Sequence, residues 1–142
     1  MTSGAAVEMS GSFSRDLLAL PEVFELVERF FANAMVDAKA RFPVELAVEE
    51  VFTNFVRHNA TGRESIGIRL RLDGDNLSIM LTDYDAPKFD MTTDAPDPGI
   101  DDPLEKRTPG GLGLHLVKKM MDRIEYRHEN GIGTVLLSKC VG

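Results

Sequence analysis

The hydrophobic period of this chain first changes near residue 60, and that change limits the folds open to it. Before it, apolar residues recur at helical spacing. Val23, Phe24, Leu26, Val27, Phe30, Phe31 and Ala34 follow Leu20-Pro21, with Glu22, Glu25, Glu28 and Arg29 between them, and Pro suits the first turn of a helix. A second amphipathic helix is expected from about Pro43 to His58, carrying Val44, Ala47, Val48, Val51, Phe52, Phe55 and Val56. Beyond it the pattern alternates. Ile66, Ile68, Leu70 and Leu72 are separated by Gly67, Arg69 and Arg71, and Leu77, Ile79 and Leu81 resume after the turn residues Asp73-Gly74-Asp75-Asn76. That is a hairpin. Asn130-Gly131 marks a second one, between strands at Ile124–His128 and Thr134–Cys140, and a third helix over Leu112–Asp122 precedes it. Residues 7–15 are read as a further strand. Helix, helix, hairpin, loop, helix, hairpin predicts an α+β layer structure, with helices on one face of a mostly antiparallel sheet.

Composition narrows the function classes. A chain of 142 residues fits one domain. Its formal charge of −7 argues against tracking a nucleic-acid backbone, which needs clustered Lys and Arg. One cysteine, Cys140, permits no internal disulfide and no cysteine-rich metal site, which suits a reducing, cytoplasmic compartment. No stretch is long and apolar enough for a membrane span, and Met1–Arg15 lacks the features of a signal peptide. The stretch from about Ala86 to Pro109 has no period at all. It holds five of the seven prolines and six acidic residues, and loops of that length inside a compact domain are usually functional lids or linkers.

Three features could carry chemistry. Glu50, Asn54 and His58 follow one another at i, i+4, i+8 along one edge of the second helix, and Asn54 and His58 intrude on its apolar sector. A carboxylate and an amide one turn apart offer a general base beside an oxygen ligand for a hard cation such as Mg²⁺, although such residues on a helix edge are ordinarily solvated. Asp83 ends a strand, where a buried carboxylate could accept a hydrogen bond from a purine amino group. As a plain turn residue it would be unremarkable. Thr108-Pro109-Gly110-Gly111-Leu112-Gly113-Leu114 leads into the third helix, where glycines and the helix N-terminus together favour an anion. It is neither a P-loop nor a dinucleotide fingerprint. His115 and His128 have no partners at metal-ligand spacing.

Together these pieces are far more specific. Glu50-Val51-Phe52-Thr53-Asn54, then Asp83, a long loop, and Gly111-Leu112-Gly113 resemble the GHKL ATPase superfamily with its Bergerat fold. Glu45–Asn54 and Gly110–Val117 are most similar to the bacterial anti-sigma-factor serine kinases, and the likeness runs over roughly residues 16 to 140. The resemblance implies a two-layer α/β sandwich with a mostly antiparallel mixed sheet, helices on one face and an ATP lid over about 90–109. It implies a single histidine-kinase-like ATPase domain over 16–142, preceded by a segment at 1–15 that could add an edge strand. It also implies that Asn54 ligates the Mg²⁺ bridging the ATP phosphates, that Glu50 is the general base, and that Asp83 holds the adenine amino group. The remaining nucleotide contacts would come from His58, Pro87, Gly110, Gly111, Leu112, Gly113 and Leu114.

One departure stands out. The family's Asp-x-Gly-x-Gly box is here Asp83-Tyr84-Asp85-Ala86-Pro87, so both glycines are replaced. Asp85 is expected to put a second carboxylate near the nucleotide and to reshape the pocket. The function implied is an ATP-dependent serine/threonine kinase that phosphorylates a STAS-type anti-anti-sigma partner, with a sigma factor as competing partner and a homodimer as the assembly. Two alternatives stay open: a nucleotide-weak or non-enzymatic binding module of the same fold, and a kinase serving another partner-switching output.

Overall fold

The computed structural model describes residues 6–59, 62–86 and 111–141. The chain runs β1 (Val7–Phe13), α1 (Leu20–Ala34), α2 (Arg41–His58), β2 (Ile66–Asp73), β3 (Asn76–Asp83), α3 (Gly111–Met120), β4 (Arg123–Glu129) and β5 (Ile132–Cys140). Short 3₁₀ turns at Leu17–Ala19 and Ala38–Ala40 lead into α1 and α2. The strands form one sheet in the order β1-β2-β3-β5-β4, and each of the four pairings is antiparallel. The segment read as a possible strand is thus the edge of the sheet. The expected lid over 90–109, together with Pro87 and Gly110, lies outside the described residues.

Alternation decides which face of the sheet is covered. Ile66, Ile68 and Leu70 of β2, Leu77, Ile79 and Leu81 of β3, and Val135 and Leu137 of β5 are buried. They pack with Val23, Val27 and Phe30 of α1 and with Val44, Val48, Val51 and Phe52 of α2. The intervening residues face away from the helices. Among them Arg69 and Arg71 are exposed, and Arg71 sits 3.5 Å from the Glu8 carboxylate, a solvated pair of small energetic weight.

Local chemistry sets the element ends. Pro43 falls within the first turn of α2, where its missing N–H costs nothing. Met35 closes α1 in the left-handed region at φ 55°, its N–H returning to the Phe31 carbonyl. Asn130 and Gly131, at φ 52° and 77°, form the two-residue loop between β4 and β5, as an Asn-Gly turn of this length requires. The third helix stops at Met120, two residues short of the expected end. There the Asp122 N–H donates to the Ser138 carbonyl at 2.9 Å and its carboxylate accepts from Cys140 N–H, so that the chain has already joined the sheet. No helix among the described residues is long and apolar enough to cross a membrane.

Candidate functional site

Glu50 and Asn54 lie one turn apart on α2, both partly buried at the edge of its apolar stripe. The Asn54 side-chain amide donates to the Glu50 carbonyl at 2.7 Å. Only the amide nitrogen can donate to a carbonyl, so this bond orients Asn54 and leaves its Oδ1 as the acceptor end. Burial, reinforced by the charge of Glu49 and opposed by Arg57, pushes the Glu50 carboxyl above its ordinary range. A carboxylate held this way is a stronger base than a solvated one.

The start of α3 packs against this turn of α2. At Gly113 an added Cβ would stand 2.7 Å from Glu50 Oε2 and closer still to Oε1 and Cδ. Only a residue without a side chain admits the carboxylate there. Glu50 therefore rests on the first turn of α3, where the N–H groups and dipole of a helix start favour negative charge. The backbone of Gly111 and Leu112 opens that turn. Leu114 is 4% exposed and belongs to the core, which confines any nucleotide contact it makes to its main chain. His58, the last residue of α2, is exposed rather than turned into the apolar sector. Partial desolvation, with Arg57 nearby, holds the imidazole below the usual histidine range.

Asp83 is a buried charged residue, 1% exposed at the end of β3. Its partner is Arg15, which the sequence reading did not single out. The guanidinium forks onto both carboxylate oxygens, with Nη1 to Oδ2 at 3.1 Å and Nη2 paired to Oδ1. The same Nη1 donates to the Phe55 carbonyl and Nε to the Glu64 carbonyl, each at 3.3 Å. Asp83 Oδ1 also accepts the Asp85 N–H at 3.0 Å.

The altered box is held from several sides. Asp85 turns its carboxylate to the Arg63 N–H at 3.1 Å, and the Asn59 amide donates to the Asp85 carbonyl. Ala86 donates to the Gly131 carbonyl, and its own carbonyl meets His128 Nε2. Asp85 has no positive φ, so replacing this glycine introduces no left-handed strain. Its second carboxylate serves the loop after α2.

Mg·ATP would need to be held at two ends, its phosphates and its base. Among the described residues no three His, Cys, Asp or Glu side chains gather as a metal cluster. Mg²⁺ on a triphosphate needs none, because it takes one or two protein oxygens and fills its shell with phosphate and water. Asn54 Oδ1, the Glu50 carboxylate and the α3 N-terminus fit the phosphate end. The base end does not fit in this conformation, since Arg15 pairs with both oxygens of Asp83 and the carboxylate is closed off from solvent.

Comparison with known proteins bears on the family and the fold. The histidine kinase-like ATPase domain family matches residues 13–139. The serine-protein kinase RsbW of Halalkalibacterium halodurans is 32% identical over 92 residues, covering 63% of this chain and 56% of that protein. The RsbW of Oceanobacillus iheyensis is 31% identical over 104 residues, covering 69% and 64%. The chain thus spans about three-fifths of the length of these relatives. Among solved structures, the RsbU and RsbW domains of a Mycobacterium tuberculosis protein superpose with a TM-score of 0.68 at 16% identity, over 94% of this chain and 32% of that one. SiaB in the SiaB–SiaC complex of Pseudomonas aeruginosa gives 0.64 at 9% identity, over 92% and 88%. At those identities the likeness is one of fold. The extent of the family match, nearly the whole chain, places this protein in the histidine kinase-like ATPase domain family.

Proposed function

We propose that this chain is an ATP-dependent serine/threonine protein kinase of the anti-sigma type that acts as a homodimer, phosphorylating a STAS-type partner that competes with a sigma factor for it. The observation that carries the reading is the seating of the Glu50 carboxylate, with its raised pKa, against the first turn of α3 at Gly113. Mg·ATP would supply an electrophilic γ-phosphoryl group whose developing charge the metal offsets. Asn54 Oδ1 would hold the metal, and N–H groups of the α3 N-terminus would face the phosphate oxygens. Glu50 would take the proton from the attacking serine hydroxyl, and its desolvated position tunes it toward that task. The relatives named as serine-protein kinases support this activity. A solved complex of SiaB with SiaC supports a protein partner for this fold.

The test is phosphoryl transfer from labelled Mg·ATP to candidate STAS proteins by the purified chain. Transfer that Glu50→Gln abolishes and Asn54→Ala weakens is the expected result. Absence of transfer, with intact binding to a STAS protein, would move the assignment to a binding module without enzyme activity. One observation favours that second reading: Arg15 occupies the acceptor that adenine would use.

A further inference from the structure

The pairing of Arg15 with Asp83 follows from register. Phe13 of β1 lies opposite Ile66 of β2, which lies opposite Asp83 of β3. The residue two beyond Phe13 therefore arrives at the end of β3. Its side chain is 2% exposed, as closed off as that of the aspartate it meets. The slot is fitted to it: at Gly62 an added Cβ would stand 2.7 Å from Arg15 Nε and 3.0 Å from Cζ. Four separate segments contribute, namely the exit of β1, the last turn of α2, the loop before β2 and the end of β3.

A purine amino group is a neutral donor and reaches a carboxylate through a single hydrogen bond. A guanidinium is charged, forks onto both oxygens, and makes the stronger pair. Arg15 itself lies between β1 and the Leu17–Ala19 turn, outside either ladder, so its side chain can leave Asp83 without unpairing a strand.

Resting on the nucleotide reading above, we propose that Arg15 determines base specificity by competing with the exocyclic amine of adenine for Asp83. In the paired state the pocket accepts a nucleotide through its phosphate end alone. An amine contact forms only in the fraction of molecules whose Arg15 has moved away, and the apparent affinity for ATP falls by that fraction. The parent protein thus discriminates poorly between ATP and ITP, which carries a keto oxygen in place of the amine.

Calorimetric titration with Mg·ATP and Mg·ITP, on the parent, Arg15→Gln and Asn54→Ala, tests this. Arg15→Gln is expected to tighten ATP at least about tenfold while leaving ITP within about threefold, raising the ATP-to-ITP ratio. Should Arg15→Gln fail to fold, Arg15→Lys keeps a positive charge near Asp83 without the fork, and the same ratio rises by less. An unchanged ratio in a folded variant, with ATP binding that Asn54→Ala weakens, overturns this inference and leaves the nucleotide reading standing. No binding of either nucleotide by any protein at millimolar concentration overturns both.

Discussion

Replacing Gly113 by alanine separates the stability of α3 from the placement of Glu50. The added Cβ would lie 2.7 Å from Glu50 Oε2, with Oε1 and Cδ closer, against an ordinary separation of about 3.5 Å. The carboxylate must therefore retreat by about 1 Å or more, and as the free end of a flexible side chain it can. The backbone at Gly113 needs no left-handed angle, because only Gly74 and Gly131 among the described glycines have positive φ. Alanine then gains about 0.5–1 kcal/mol in helix propensity over glycine. At a few degrees per kcal/mol for a domain of this size, Tm rises by about 1–5 °C. Displacing the base by 1 Å costs about a hundredfold in phosphoryl transfer. Transfer to a STAS partner and thermal unfolding, measured on one preparation, read both quantities, and calorimetry with Mg·ATP separates a lost base from a lost phosphate grip. In a Glu50→Ala background the substitution has no carboxylate to displace, so only its gain in Tm remains. A variant that keeps transfer within about threefold of the parent, or that loses it only through weakened nucleotide binding, refutes the claim that this close approach positions Glu50.

Further outcomes follow from the same geometry. Breaking the buried pair with Arg15→Ala leaves Asp83 uncompensated and lowers unfolding free energy by about 3–5 kcal/mol, read by urea denaturation; a loss below about 1 kcal/mol would show the pair to be loosely held. Because burial raises the Glu50 pKa, the folded state keeps that proton to higher pH than the unfolded chain, and stability is lost as pH rises from the ordinary carboxyl range through the folded value. Glu50→Gln removes that loss, so thermal scans should find the variant more stable than the parent at about pH 7.5 and level with it at about pH 4; equal Tm values at both would contradict it. Gly131→Ala, at φ 77°, costs about 1–2 kcal/mol with no change in nucleotide binding, and a neutral result would mean the turn had rearranged.

Periodic and turn signals made much of the fold legible. Asn130-Gly131 announces its own backbone, because both positions need positive φ and these residues supply it at low strain. The alternation through Ile66–Leu72 names the buried face before any partner strand is known. Glu50 and Asn54 show themselves because polar residues at helical spacing interrupt an apolar stripe. Arg15 does not show itself. Nothing in Ser14-Arg15-Asp16 differs from an ordinary turn, and its importance arises only when the β1, β2 and β3 registers bring Phe13, Ile66 and Asp83 into line. Register is a long-range property that hydrophobic period leaves undetermined along the strand direction. The closeness of Gly113 to Glu50 was hidden likewise, since each lies on a separate helix and the sequence says nothing of their crossing.

The seam between β3 and β5 joins Asp83 to Gly133 across about 50 residues of intervening chain. The entropy of closing a loop grows only with the logarithm of its length, so doubling such a span adds about 0.6 kcal/mol. The stretch between β3 and α3 can therefore lengthen, shorten or change composition at little thermodynamic penalty while the seam keeps its alignment. Evolution can retailor that stretch without renegotiating the sheet. The cost falls on kinetics instead, because a central pairing so distant along the chain forms late and slows the search for the native state.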